Sequence, residues 1–302
     1  MILRDFCDYR RKVSGARYGV EVEVEGVQFP RENPPNWEAK PDGSLSAKGL
    51  EFVTQKAFGP DKFELMLGRL DEAFKGAGTD LDCGVGCSVH VHMNVQDLTI
   101  SQILNIIVTY YILEDCLVKF CGDNREGNLF CLRLSDGDAA AWGLVEAVNQ
   151  GRFPLYFTSA DFKYAALNLS ALGRFGTLEF RSYGAIQESP LEALGWLRTL
   201  NHLRDFALQF NCPQQIISQF SMDGPRRFFR SALGPFSQII PFDETALHKG
   251  MRQAQIIAFS ANVEENPEKN PKPVAPVYYY GDLPQERGVR LEGRGPRGII
   301  NG

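Results

Sequence analysis

The sequence predicts an α+β fold built on a mainly antiparallel sheet. Segments of strict two-residue alternation, such as YGVEVEVEGV at Tyr18 to Val27 and SVHVHMNV at Ser88 to Val95, have the period of a strand with two unlike faces. Between them lie stretches with apolar residues at helical spacing. The two kinds of segment do not alternate in the regular strand–helix–strand order of a parallel sheet. The 302 residues, 44% hydrophobic and 23% charged, suffice for one large domain or two small ones.

Taken in order, Tyr18 to Val27 is the first strand, with Val20, Val22 and Val24 on one face and Glu21, Glu23 and Glu25 on the other. Residues 28 to 49 are rich in Pro, Gly, Asn and Asp and read as a loop holding short strands. Leu50 to Thr54 is a second strand. Asp61 to Phe74 is a helix, with Phe63, Leu67, Leu70 and Phe74 along one side. Ser88 to Val95 alternates again, setting Val89, Val91, Met93 and Val95 opposite His90, His92 and Asn94. A long helix is expected from about Thr99 to Phe120, with Thr99 or Ser101 as its N-cap. A short helix follows near Ala139 to Asn149, then strands at Ala165 to Ser170 and Gly176 to Tyr183. Pro190 to Leu208 is an amphipathic helix that begins on a proline, which its first turn tolerates.

From Asn262 onward the chain is punctuated by Pro and Gly and has almost no apolar period up to Pro276. Residues 1–261 are therefore expected to form the folded domain, and 262–302 an extended or disordered tail. Its Tyr278 to Tyr280 cluster could contact a protein partner, another subunit or its own domain. No internal repeat is visible.

The 32 Lys and Arg against 37 Asp and Glu give a formal charge of −5, which disfavours a general nucleic-acid binder. Seven cysteines, an odd number, do not read as a secreted disulfide framework. Cys83 and Cys87 have a zinc-ligand spacing but no matching second pair. The stretch MILRDFCDYRRK has no apolar run long enough to read as a signal peptide, and the most apolar run, Ile103 to Leu113, is too short to span a bilayer. A cytoplasmic protein without membrane or nucleic-acid partners is the expectation.

Three glutamates on one strand face repel one another unless positive charge sits among them. Taken alone, EVEVE is an ordinary solvated face that also discourages edge pairing. The other strands change its meaning. Glu51 in LEFV, His90 and His92 in SVHVHMN, and Glu179 and Arg181 in TLEFRSY each project opposite their strand's apolar side. If the strands share a sheet, one face gathers carboxylates, two imidazoles and a guanidinium. Carboxylates with few thiolates suit Mg²⁺ or Mn²⁺ bridging phosphate oxygens, and an arginine fork suits a phosphoryl group or a carboxylate. No Walker pattern occurs, and Gly84 and Gly86 lack the third glycine and helix of a dinucleotide loop. The HxH strand could also hold zinc in a hydrolase, and Arg181 could simply pair with Glu179. His202, His248 and the Phe-rich stretch from Phe206 to Phe229 read as ordinary helix and core residues, and RRFFR at 226 to 230 as a solvated turn.

GVEVEVEG, then a tryptophan and DGS followed by LEFVT, then GCSVHVHMNV, then KYAALNL with GTLEFR, resembles in this order the amidoligase family. That family is part of the carboxylate–amine ligase superfamily, with glutamine synthetase and γ-glutamylcysteine ligase. The resemblance covers about residues 17 to 208. It implies a glutamine synthetase-like fold, an antiparallel sheet forming a funnel-like site with helices on its outer face, and ATP with two or three Mg²⁺ or Mn²⁺ ions. It implies transfer of the γ-phosphoryl group to a carboxylate, with an amino acid or peptide as the expected substrate class, and amide formation when an amine attacks the acyl phosphate. By the same resemblance Glu21, Glu23, Glu51, His90 and Glu179 are metal ligands, His92 a nucleotide-side partner, and Arg181 the stabiliser of the transferring phosphoryl group. Asp42 and Ser44 of DGS, with Arg125, Lys163 and Asn168, resemble positions lining the substrate or nucleotide side. Asp42 and Glu25 are the candidates to accept the amine's proton. A catalytically degenerate binding protein and an HxH zinc hydrolase are the competing readings.

Overall fold

In the computed structural model, residues 2–46, 48–128, 131–133, 138–151, 153 and 164–262 are described. Their seven strands form one antiparallel sheet. Strands β1 (Tyr18–Val27), β2 (Trp37–Lys40), β3 (Gly49–Thr54), β5 (Val89–Asn94), β6 (Leu167–Asn168) and β7 (Thr177–Tyr183) run in the order β2-β3-β1-β5-β7-β6, and the short β4 (Asp80–Leu81) pairs with the end of β1.

Each strand with clear alternation lies within a residue or two of its expected place. β1 is central because its valines have both a buried sheet face and neighbours on either side. It pairs with β3 through Glu23↔Glu51 and with β5 through Glu21↔His90. The Ala165 to Ser170 segment contributes only Leu167 and Asn168 to the ladder, since the short helix α4 (Ala171–Phe175) begins directly after it. Where β5 meets β7, Val91 pairs with Phe180 but Val89 with Tyr183, so β7 carries one extra residue as a β-bulge.

The apolar face of the sheet is covered by helices α1 (Phe63–Ala77), α2 (Ile100–Phe120) and α5 (Leu194–Ala207). Phe52 packs edge-on against Phe74 of α1, Tyr18 against Phe63, and Phe180 against Tyr110 of α2 and Trp196 of α5. Thr99 caps α2 by accepting from the Gln102 amide while the Gln102 side chain accepts from the Thr99 amide, a reciprocal capping box. Pro190–Ala193 forms a 3₁₀ turn that leads into α5. α3 (Asp138–Asn149) matches its expected place.

Helices α6 (Pro213–Asp223), α7 (Pro225–Leu233) and α8 (Glu244–Ser260) complete the helical layer. RRFFR is not a turn but the body of α7, where Phe228 and Phe229 are buried. Two adjacent phenylalanines with arginines on either side suit an amphipathic helix entered through Gly224 and Pro225. α8 crosses α2 so closely that a Cβ at Gly250 would collide with the backbone of Tyr111 and Ile112.

All seven cysteines are free thiols. No helix of the described residues is long and apolar enough to cross a membrane. Lys163 and residues 263–302, including the Tyr278 to Tyr280 cluster, lie outside the described residues.

Candidate active site

The sheet's polar face forms the floor of a cleft of about 680 Å³. Glu21 and Glu23 of β1, Glu51 of β3, His90 and His92 of β5, and Glu179 and Arg181 of β7 all line it. Alternation sets their face, and antiparallel register brings them into adjacent rows: Lys40, Glu51 and Glu23 in one, Glu21 and His90 in the next, His92, Glu179 and Asn168 in the third.

His90 is the hub. Its Nδ1 lies 3.2 Å from Glu21 Oε2 and 4.0 Å from Glu179 Oε1, and its Nε2 is 3.7 Å from Glu23 Oε2. Two overlapping groups, Glu21–His90–Glu179 and Glu23–Glu51–His90, each bring their ligand atoms within 4.8 Å of one another. His92 Nδ1 meets Thr177 Oγ1 at 3.0 Å. Its Nε2 is buried 3.3 Å from Glu21 Oε1, without the alignment of a hydrogen bond.

The electrostatics of these groups are uneven. Burial would raise the Glu21 carboxyl, but the His92 and His90 rings outweigh it and hold Glu21 well below the usual carboxylate range. Burial would lower His92, and the Glu21 charge more than reverses that. At Glu51, burial and the negative Glu21 push the carboxyl up to about 7 against the pull of the Lys40 ammonium, 2.9 Å away. The cleft is therefore short of positive charge around Glu51, and His92 leaves an orphaned ring nitrogen inside it. A set of buried carboxylate oxygens and imidazole nitrogens with these deficits fits a divalent cation of the Mg²⁺ or Mn²⁺ class.

Arg181 Nη1 donates to Glu179 Oε1 at 2.7 Å, while its Nε is buried without a partner. The pairing with Glu179 is thus real, and a donor is still to spare. Asn168 does line the cleft, but its amide N–H donates to Glu179 Oε2 at 2.8 Å and its carbonyl accepts from the Ser170 amide. It orients Glu179 rather than standing free for a nucleotide. Asp42 and Ser44 sit at the β2–β3 end, where the Ser44 amide and hydroxyl both donate to Asp42 Oδ1.

Two candidates fall elsewhere. Arg125 does not line the cleft. It is 1% exposed, and its Nε and Nη2 donate to the carbonyls of Ser182 and Arg181, 3.0 and 2.7 Å away. Its Nε and Nη2 thus serve the bulged backbone of β7, while its Nη1 is buried without a hydrogen-bond partner. Glu25, next on the same face, turns away to accept from the Ser46 amide at 2.8 Å and is held low by that bond. It ties down the loop before β3.

Lining residues that were not anticipated include Lys40, Ser88 and Arg174. Ser88 was findable, since alternation in SVHVH puts it on the face of His90 and His92. Lys40 ends β2, one of the short strands expected within residues 28 to 49, whose four residues are too few to assign a face.

Residues 44–191 match a family model described as "Putative amidoligase enzyme". The match supports the amidoligase family. No curated protein matches the chain. The matched segment contains Ser44, Glu51, His90, His92, Asn168, Glu179 and Arg181, whereas Glu21, Glu23, Lys40 and Asp42 precede it. The sheet draws both sets into one cleft.

Proposed function

We propose that the protein is an ATP- and Mg²⁺-dependent carboxylate–amine ligase acting on an amino acid or peptide. The observation that carries this reading is the convergence of the matched segment's ionisable side chains with Glu21 and Glu23 around one cleft. Glu21, Glu23, Glu51, His90 and Glu179 would hold Mg²⁺ or Mn²⁺. When bound, such ions supply neutralisation of the charge on the β- and γ-phosphates of ATP.

The bond from the β,γ-bridging oxygen to the γ-phosphorus breaks as a substrate carboxylate oxygen bonds to that phosphorus, releasing ADP. The amine then attacks the acyl carbon, inorganic phosphate leaves with the bonding pair, and an amide forms. Arg181, with its unpartnered Nε, would donate to the equatorial oxygens of the transferring phosphoryl group. Asp42, which lines the cleft and accepts from the Ser44 amide, would accept a proton from the amine. The sheet floor shields the acyl phosphate from water on one side. Seven reduced cysteines suit a cytoplasmic enzyme.

The test is ATP turnover with Mg²⁺ and a panel of acids and amines. ADP release that requires both an acid and an amine is the expected result. No release with any pair, together with no nucleotide binding, would remove the ligase reading in favour of a degenerate binding protein. Hydrolysis without ATP by a zinc-loaded sample would favour the HxH hydrolase.

A further inference from the structure

We propose that Ser88 is a positioning residue that fixes the ring of His90, so that Nε2 is its N–H donor and Nδ1 its metal-binding atom. The cleft then has two unequal cation positions. This rests on the metal-dependent reading above, but not on the ligase chemistry.

The argument is one of counting hydrogens. Ser88 is 2% exposed, and its hydroxyl touches two groups: Glu23 Oε2 at 2.6 Å and His90 Nε2 at 2.7 Å. A hydroxyl has one hydrogen, and a carboxylate can only accept. The hydrogen therefore goes to Glu23, and toward His90 the serine oxygen can only accept. His90 Nε2 must carry the proton of that contact. In the neutral ring the lone pair is then on Nδ1. A second contact agrees, because Arg181 Nη1, which can only donate, lies 3.4 Å from Nδ1.

That lone pair faces Glu21 Oε2 at 3.2 Å and Glu179 Oε1 at 4.0 Å. Acceptors converging in this way need a positive charge among them. A divalent ion supplies it. On the other side of the ring, Ser88 occupies Nε2 and closes it to metal. The Glu23–Glu51 pair must then act through oxygen alone, with the Lys40 ammonium beside Glu51. One position is thus a nitrogen–oxygen site and the other a carboxylate site.

The experiment labels the histidines of the full-length, metal-free protein with ¹⁵N and titrates in Mg²⁺. The expected result is that His90 Nδ1 shifts while Nε2 keeps its attached proton. Ser88→Ala should weaken Mn²⁺ binding about 10- to 100-fold, as for other groups that orient a metal ligand, and Ser88→Thr, which keeps the hydroxyl, should restore it. Loss of the Nε2 proton on adding metal, no shift at either nitrogen, or wild-type Mn²⁺ affinity in Ser88→Ala overturns the proposal. If Ser88→Ala does not fold, the wild-type spectrum alone decides. Neither readout involves ATP, so an intact Nδ1 signature without turnover removes the ligase reading and leaves this one standing.

Discussion

At the scale of single residues, two arginines one strand apart from each other in role illustrate how geometry assigns function. Arg181 lines the cleft, and Arg125 is buried outside it with its Nε and Nη2 on backbone carbonyls. Arg181→Lys keeps the charge but loses the planar fork. It is expected to lower ATP turnover about 10²- to 10³-fold, the range for removing one preorganised donor, as measured by steady-state ADP release. Arg125→Met removes two charged hydrogen bonds to buried carbonyls and should cost about 2–3 kcal/mol in urea unfolding. An unchanged unfolding midpoint would show that the fork is idle. The contrast was not legible in the sequence. Alternation fixes a face for every strand residue, including Arg181, whereas Arg125 ends a single 3₁₀ turn (Asp123–Arg125), too short to show a period, and only tertiary packing decides what it meets.

At the scale of elements, strands and helices were legible wherever a single period ran long enough. The face of β1, the HxH strand and the Glu179–Arg181 pair could all be read from alternation. Registers could not, because pairing depends on partners distant in sequence, and so the rows of the cleft emerged only from the sheet. The helices after α5 blurred because Phe228 and Phe229 adjoin arginines over too short a stretch to show a period. Helix α8 offers two tests. Gly250→Ala forces a methyl into the α2 backbone and should cost about 1–3 kcal/mol, read from denaturant midpoints. Asp243 caps α8 through the Ala246 amide, which with Lys119 holds its carboxyl below the ordinary range. A carboxyl lowered by folding stabilises the fold above its unfolded pKa and loses that contribution as pH falls through the folded one. Asp243→Ala should therefore cost about 1 kcal/mol at neutral pH, with the difference from wild type shrinking below about pH 4 and vanishing in stronger acid.

At the scale of the whole molecule, the charge of −5 says less than its arrangement. Four glutamates share one cleft, so divalent ions should stabilise the fold by binding only when it is formed. At a hundredfold excess over Kd, one site contributes about 2.7 kcal/mol, which corresponds to a rise in Tm of about 4–5 °C for a chain of this size. Thermal unfolding with Mn²⁺ and with a chelator checks this, and identical curves would count against a metal centre in the cleft. The position of β1 has a practical consequence for anyone handling the protein in pieces. The matched segment begins at residue 44, yet the strand at the middle of the sheet ends at Val27. A fragment cut to the segment would lose the strand joining β3 to β5 and expose two raw edges in place of one continuous ladder. Such edges recruit strands from other chains, so the fragment should precipitate, and the unit of sequence similarity is smaller than the unit that can fold.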